Sequence, residues 1–286
     1  MNGKTKAIFL MLLSSLSFAI MAFLVKLSAD VPLFQKVFFR DLIVVILALF
    51  GLASMKESPW GKRENRMRLW LRGFSGFIGV AFYFYSASHM YLSDSTIINK
   101  LSPFFTTLFA VLLLKEKIKT LQVITLILSL FGGILVVKPE FSMTVIPAVC
   151  GIIGALVAGF SYAMVISLTN RENPLVVVFY FSNTSVLCSF FLMLPDFQVL
   201  TLLKFAILIG TGVFAAGGQI LLTYAYKYAK ASSISVYSYS IIVFSGILGF
   251  ICWREIPDVK SVIGGLLIII SGFVLYAAQY IREKNT

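Results

Sequence analysis

Long apolar runs separated by short polar joints dominate the sequence. Each run is about 20 residues long, which is the length that an α-helix needs to cross the hydrocarbon layer of a membrane. Cutting the runs at charged residues and at joints that contain Pro, Asn or Asp predicts ten spans. The predicted spans are 7–27, 33–54, 72–92, 95–114, 120–137, 146–169, 174–194, 204–226, 232–253 and 259–280. The remaining connections are short, so we expect the function to lie within the helical bundle.

The composition also indicates a membrane protein. Of the 286 residues, 59% are apolar and 13% are charged, whereas soluble domains carry about 45–50% and 25%. The first apolar run follows Lys4 and Lys6 and is longer than the core of a cleaved signal peptide. We therefore interpret it as a retained first span.

The net charge of +12 has an explanation in membrane topology. If the N-terminus is cytoplasmic, most Lys and Arg residues, Arg72 included, fall in the inner connections and flanks. This bias predicts a plasma-membrane protein with both termini in the cytoplasm. It leaves no need for a nucleic-acid partner, and membrane lipids are the expected surroundings.

The chain matches itself at a constant offset of 139 residues. We interpret this as two homologous halves of five spans each, 1–140 and 141–286. Because five is odd, the second half is expected to enter the membrane inverted, which is an architecture typical of transporters. The matched pairs are Tyr85 with Tyr224, Lys115-Glu116 with Arg254-Glu255, and Gly133 with Gly272.

Both halves end in a span, a basic residue, a glutamate, a short link and a glycine-bearing span. The first half has Leu101-Ser102-Pro103, Lys115-Glu116-Lys117 and Gly132-Gly133, and the second has Arg254-Glu255, Gly264-Gly265 and Gly272. This order resembles the EamA-type branch of the drug/metabolite transporter superfamily. The resemblance implies ten helices in two five-helix repeats and a small organic solute as cargo. Arg40 matches an arginine often found in the second span of that family, whereas Ile242 in the place of Pro103 argues against a symmetric kink in spans four and nine.

Six ionisable side chains fall within or at the ends of spans of the first half. A charge inside the bilayer costs about 2.5–3.5 kcal/mol on insertion scales, so each is a functional hypothesis. Lys36 and Arg40 share one helix face, whereas Asp41 lies about 100° further round and is expected to meet a group on another span. The six are Lys36, Arg40, Asp41, His89, Asp94 and Lys100.

The second half carries no ionisable side chain at the matching positions. It has Val178, Ser182, Asn183, Tyr228, Ser233 and Tyr239 there. The two halves are therefore predicted to be chemically unequal, with a charged cluster in the first and a neutral face in the second.

These side chains predict a cavity for an anionic or zwitterionic organic metabolite. Arg40 would clamp the anion and Lys100 would assist it. Lys36 could either bind or extend to the membrane surface, and Asp41 would balance charge or accept a coupling proton. Asp94 and His89 are also candidates for coupling or charge balance; otherwise Asp94 is expected to cap span four, and His89 to be a satisfied interfacial histidine rather than a proton relay. The remaining candidates, expected to line the cavity, are Tyr83, Tyr237, Tyr239 and Asn183.

The favoured function is transport by alternating access, driven by exchange or an ion gradient. A lipid or lipid-headgroup translocase is the alternative within transport, and a non-transporting scaffold or sensor is the alternative from another class. No catalytic constellation, metal site or cofactor motif is recognised, so an enzyme is not expected. A homodimer is compatible with the sequence. Glu116 and Glu255 are expected to cap or salt-bridge connections, and the glycine clusters to mediate helix packing.

Overall fold

The computed structural model describes residues 3–114, 124, 127–128, 131–132, 135, 145–168, 171–228 and 235–284. Within these ranges the regular structure is helical, and no β-strand occurs. Short 3-10 turns at 63–65 and 235–239 precede two of the helices. The α-helices are α1 (Gly3–Leu27), α2 (Leu33–Ser54), α3 (Arg66–His89), α4 (Leu92–Asn99), α5 (Ser102–Leu114), α6 (Val145–Leu168), α7 (Pro174–Met193), α8 (Leu202–Tyr228), α9 (Ser240–Trp253) and α10 (Val259–Lys284).

Five described stretches are long and apolar enough to cross a membrane. They are Thr5–Leu27, Leu33–Ser54, Val145–Val165, Pro174–Met193 and Leu202–Leu222. Tyr237–Trp253 and Val259–Ser271 are shorter apolar helices. Most of the predicted fifth span lies outside the described residues, and so do Glu116, Gly133 and Ser233.

The predicted fourth span is not one helix. Helix α4 ends at Asn99, α5 begins at Ser102, and the chain turns at Lys100 and Leu101 between them. A proline has no backbone N–H and its ring would clash with the carbonyl four residues earlier, so Pro103 fits the first turn of a new helix but not the interior of a long one. The prediction of a continuous helix over 95–114 is therefore wrong.

The ninth predicted span changes geometry at the matching place. A 3-10 turn runs to Tyr239, which the repeat pairs with Lys100, and α9 starts at Ser240. The hydroxyl of Ser240 donates to the backbone carbonyl three residues earlier, 2.7 Å away. Such a bond competes with helical hydrogen bonding. An irregularity therefore occurs at both matched positions, although Ile242 stands in the place of Pro103.

Helix α3 starts at Arg66, before the predicted residue 72. The prediction began the span at Arg72, the last of a run of basic residues, although arginine is a good helix former. Leu69 in this first turn is fully buried among Leu168 and Val176. Arg72 is consequently a helix residue rather than a loop residue.

Helices of the two halves pack in exchanged pairs. The most extensive contacts join α1 to α8 and α3 to α6, followed by α2 with α7. Contacts of α5 with α6 correspond to those of α1 with α9, and contacts of α3 with α7 correspond to those of α2 with α8. Each of these contacts between a helix of the first half and a helix of the second half therefore recurs between the helices that the repeat matches with them.

Glycines allow these helices to approach closely. A Cβ atom added at Gly73 of α3 would lie 2.4 Å from Oγ1 of Thr184 on α7. The residue 139 positions later, Gly212 of α8, would meet Cβ of Ile43 on α2 at 2.7 Å. The predicted packing role is confirmed at both positions. At Gly246, no atom of the described residues lies within 4 Å of an added Cβ.

Candidate functional site

Arg40 and Asp41 form a buried ion pair on α2. Arg40 is 6% exposed and Asp41 is fully buried, and Nη1 of the arginine donates to Oδ1 of the carboxylate at 2.5 Å. The carboxyl of Asp41 therefore pairs with its neighbour on α2, and it also meets Ser185 on α7, a group on another span. The arginine side chain is long enough to bend round the helix to the neighbouring position, although the two Cα–Cβ bonds diverge by about 100°.

Arg72 is a third charged member of this group, and the sequence analysis missed it. It lies on α3, is 7% exposed, and its Nη1 donates to Oγ of Ser161 on α6 at 2.7 Å. Its guanidinium carbon lies 4.3 Å from the ring centre of Phe181 on α7, and that of Arg40 lies 5.4 Å from the same ring. We call Arg40, Asp41, Arg72 and Phe181 the arginine centre.

A sequence signal for Arg72 was present. It directly precedes the glycines at 73, 76 and 79, whose spacing marks the face of α3 that another helix approaches closely. A basic residue adjoining such a face is a candidate for burial. Counting it with the loop charges concealed this position.

The arginine centre carries two guanidinium groups and one carboxylate. Buried charges are stable only when they are paired and hydrogen-bonded. Among the described residues, Nε of Arg40, Nε of Arg72 and Oδ2 of Asp41 have no hydrogen-bond partner. The centre therefore has an excess positive charge and free donor edges, which suit an anionic group.

Tyr83 lies next to the arginine centre, as predicted for a cavity residue. It is buried on α3 and neighbours Thr96 and Asn99 of α4. The adjacent ring of Phe84 lies 5.9 Å from the guanidinium carbon of Arg40. Tyr83 and Phe84 thus connect the surroundings of Arg40 with those of α4.

Lys100 belongs to a second group at that break. It is half-buried, its Nζ donates to Oγ of Ser238 at 3.3 Å, and it lies 5.7 Å from the ring centre of Tyr239. Tyr239 is buried, whereas Tyr237 is half-buried beside Met11. The structure thus places Lys100 beside Tyr239, whereas Arg40 shares the ring of Phe181 with Arg72.

Asn183 is half-buried on α7. The described structure gives it no hydrogen bond to Arg40, Arg72 or Lys100. The neutral group beside the carboxyl of Asp41 is instead Ser185, two residues further along α7.

Asp94 does not cap α4, so that prediction is wrong. It is 4% exposed and accepts a hydrogen bond at 3.2 Å from Oγ of Ser261 on α10. The N-terminus of α4 is capped by Glu255, whose Oε2 accepts from the N–H of Leu92 at 3.0 Å. A carboxylate at this end of a helix is favoured by the helix dipole.

Glu255 also forms an ion pair with Lys26 at the end of α1. Nζ of Lys26 donates as well to the carbonyl of Met90, 2.8 Å away. The pair joins α1, the corner between α3 and α4, and the connection after α9. The predicted structural role of Glu255 is therefore confirmed.

Lys36 and His89 line a separate cavity of about 420 Å³ at the start of α2. Lys36 is 2% exposed and its Nζ donates to Oγ of Ser88 at 2.8 Å, so it does not extend to the surface. His89 is exposed, with Nδ1 2.8 Å from the carbonyl oxygen of Tyr85 and its ring stacked on that tyrosine. His89 thus has a hydrogen-bond partner on its own helix, and its interfacial position stays a prediction.

Asp30 lies at the rim of this cavity. A hydrogen bond from Lys204 lowers the pKa of its carboxyl below the ordinary value of 3.8. A carboxyl whose pKa is lowered by folding stabilises the protein above its unfolded pKa and loses that effect as the pH falls. The rim consequently keeps its negative charge at neutral pH, and this pair adds no pH dependence there.

Comparisons with known proteins agree with this architecture. The EamA-like transporter family matches residues 5–138 and again 145–277. The pseudopaline exporter CntI of Pseudomonas aeruginosa is 33% identical, with 94% of this chain and 95% of the relative covered. Human solute carrier family 35 member G1 is 26% identical over 92% of this chain and 77% of its own.

A solved crystal structure has a similar fold. It is 17% identical, covers 91% of this chain and 95% of its own, and gives a TM-score of 0.63. Taken with the two family matches and the apolar helices, these likenesses lead to one assignment. The chain belongs to the EamA-like transporter family and is a multi-pass membrane transporter, not an enzyme.

Proposed function

We propose that the protein carries a small organic solute with an anionic or zwitterionic group, by alternating access between two inverted repeats. The observation that carries the proposal is the buried arginine centre, which lies where α2 and α3 meet α6 and α7. A transporter with inverted repeats binds its substrate near the midplane, between the halves. Residues 1–140 and 141–286 are the proposed repeats.

Equivalent contacts in the two halves support the inverted arrangement. Oγ of Ser17 on α1 donates to the carbonyl of Phe214 on α8 at 2.8 Å. Oγ of Ser161, which the repeat pairs with Ser17, donates to the carbonyl of Arg72 on α3 at 3.2 Å. Each hydrogen bond joins the first span of one half to the third span of the other. Rocking one half against the other would separate such contacts around a central site.

Charge favours an anionic group on the cargo. Guanidinium groups bind carboxylate and phosphate oxygens in a bidentate manner, and the arginine centre has more positive than negative groups. The names of the bacterial exporter and the human solute carrier also favour a small solute over a lipid. We propose a plasma-membrane location with both termini in the cytoplasm, on the basis of the placement of Lys and Arg residues.

A thermal-shift screen of the purified protein against a metabolite library tests this proposal. A ligand that binds only the folded state stabilises it by RT ln(1 + [L]/Kd), about 2.7 kcal/mol at 100 times Kd. We expect carboxylates and phosphates to raise the midpoint of unfolding, and neutral analogues of the same size to leave it unchanged. Stabilisation by lipids or by cationic solutes alone would contradict the proposal.

Lys100→Gln is expected to reduce solute flux about 10-fold, a loss equivalent to about 1.4 kcal/mol. The ammonium group lies at the α4–α5 break beside Ser238 and Tyr239, and its positive charge would attract an anion that leaves or enters the arginine centre. Flux per folded protein in liposomes is the measurement. Lys204→Gln, which removes an exposed ammonium group at the cavity rim, is the control and should keep wild-type flux. Equal flux in the two variants would remove Lys100 from the pathway.

Gly76→Ala is expected to disturb the arginine centre directly. An added Cβ would lie 2.2 Å from Nη1 of Arg72 and 2.5 Å from Cδ2 of Phe181, so both side chains must move. Flux should fall about 10-fold, corresponding to a loss of about 1.4 kcal/mol in binding. Gly246→Ala is the matched control, because nothing lies within 4 Å of an added Cβ there. Similar flux in both variants would show that the position of Arg72 is unimportant.

A further inference from the structure

Three polar atoms of the arginine centre lack partners among the described residues. They are Nε of Arg40, Nε of Arg72 and Oδ2 of Asp41. All three residues are more than nine-tenths buried, so bulk water does not satisfy these atoms. Two are donors on positive groups and one is an acceptor on a negative group. A ligand that satisfies all three atoms must carry two acceptors, placed on negative groups, and one donor, placed on a positive group.

The charges of the centre define the same ligand. Two guanidinium groups and one carboxylate leave one positive charge in excess, and a buried charge is costly until it is paired. A ligand with one net negative charge would make the filled site neutral. A simple monocarboxylate would do so as well, but it would leave Oδ2 of Asp41 and one arginine without partners.

We propose that the arginine centre binds an aminodicarboxylate, with one carboxylate on Arg40, the other on Arg72 and the ammonium group on Asp41. The proposal rests on the proposed transport function and specifies its substrate class. Two carboxylates and one ammonium group carry one net negative charge, which balances the centre. Arg72 is then a second specificity-determining residue.

The geometry suits two carboxylates joined by a short carbon chain. The guanidinium carbon of Arg40 lies 5.4 Å from the ring centre of Phe181, and that of Arg72 lies 4.3 Å from the same ring centre. The distance between the two guanidinium carbons therefore cannot exceed these two distances added together. Asp41 contacts Arg40 through Oδ1, and its Oδ2 remains without a partner. Oδ2 of Asp41, which would accept from the ammonium group of the ligand, therefore lies beside Arg40, which would bind one of the two carboxylates.

The second half closes this site without adding charge to it. Ser161 of α6 accepts a hydrogen bond from Arg72, Phe181 of α7 contacts both arginines, and Ser185 of α7 adjoins Asp41. The repeat matches Arg40 with Ser182 and Arg72 with Thr211, so the sequence does not duplicate the centre. We therefore expect one ligand per chain, and its entry requires α6 and α7 to separate from α2 and α3.

A series of probes tests the proposed class on the wild-type protein. L-glutamate and L-2-aminoadipate contain the full set of groups, glutarate lacks the ammonium group, and L-glutamine lacks the second carboxylate. We expect the better of the two aminodicarboxylates to bind at least about 10-fold more tightly than glutarate or glutamine, as measured by titration calorimetry in detergent. Equal affinity for glutarate or glutamine would overturn the inference.

Variants assign each group of the ligand to a side chain. Arg72→Gln should abolish the preference for the aminodicarboxylate over L-glutamine, which lacks the second carboxylate. Asp41→Asn should abolish the preference for the aminodicarboxylate over glutarate, which lacks the ammonium group. Arg63→Gln, at an exposed arginine just before α3, is the control and should keep both preferences. Arg72→Lys retains the positive charge but cannot bind a carboxylate in a bidentate manner. It should keep part of the preference for the aminodicarboxylate over L-glutamine. Retention of both preferences in Arg72→Gln would overturn the role of Arg72.

The outcomes separate this inference from the proposed function. If other organic anions bind and are transported while neither aminodicarboxylate binds, the inference fails and the transport proposal stands. If no organic anion or zwitterion binds the wild-type protein, both fail. Monodisperse elution of each variant in gel filtration is required before its affinity is compared.

Discussion

Replacing Arg40 by glutamine is expected to lower transport of the anionic solute at least about 100-fold, which corresponds to about 2.7 kcal/mol. The guanidinium group would supply a charge-assisted, bidentate contact in a site that excludes water. Glutamine has neither the positive charge nor the two parallel N–H donors of arginine. Arg40 is also the ion-pair partner of the fully buried Asp41. Removing one member of a buried pair costs about 3–5 kcal/mol of folding stability. Flux must therefore be normalised to folded protein.

The double variant Arg40→Gln/Asp41→Asn separates binding from folding. Both side chains become neutral together and can still hydrogen-bond, so neither member of the pair is left as an unpaired charge, and Arg72 keeps the centre at one net positive charge, as in the wild type. We expect this variant to recover most of the stability that Arg40→Gln loses, and to remain inactive. If it transports the solute at the wild-type rate, Arg40 does not bind the cargo.

Glu255→Gln is expected to have the largest effect on stability among variants outside the arginine centre. The carboxylate is 8% exposed, pairs with Lys26, and caps the N-terminus of α4 through the N–H of Leu92. Loss of its charge leaves the ammonium group of Lys26, whose side chain is 12% exposed, without an anionic partner; the carbonyl of Met90 and the ring of Trp253 remain its neighbours. We expect a loss of about 3 kcal/mol in the free energy of unfolding, measured by denaturant titration of the purified protein.

A matched surface pair is the control for Glu255. Asp30 and Lys204 also join different helical segments, but their side chains are 60% and 35% exposed. Exposed ion pairs contribute about 0–1 kcal/mol, so Asp30→Asn should change the free energy of unfolding little. Equal losses in the two variants would mean that burial does not determine the strength of the Lys26–Glu255 pair.

The sequence predicted the helices best where proline marks their starts. Helix α2 runs over Leu33–Ser54, as predicted, directly after Pro32. Helix α7 begins at Pro174, again as predicted, with Asn173 capping the N–H of Leu175. Hydropathy could not locate the interruptions at Lys100 and Tyr239, because both lie inside apolar runs and depend on local hydrogen bonding and chain turns.

The candidate site was predictable in part. Arg40 and Asp41 stand out because they interrupt an apolar run, and burial of both supports that reasoning. Arg72 was missed because basic residues precede it along the chain, and only the packing of α3 on α6 and α7 reveals its surroundings. Lys26 and Glu255 are separated by 229 positions, and no local pattern connects them.

Solute exchange by the purified protein in liposomes tests whether the protein transports an anionic solute that binds at Arg40 and Asp41. Liposomes loaded with an unlabelled acidic metabolite that stabilises the protein are placed in the labelled compound, and uptake is followed for the wild-type protein and for Arg40→Gln/Asp41→Asn. We expect saturable exchange by the wild-type protein and background uptake by the double variant at equal amounts of folded protein. Saturable exchange at the same rate in both, or flux of labelled lipid with no flux of any anionic solute, would contradict it.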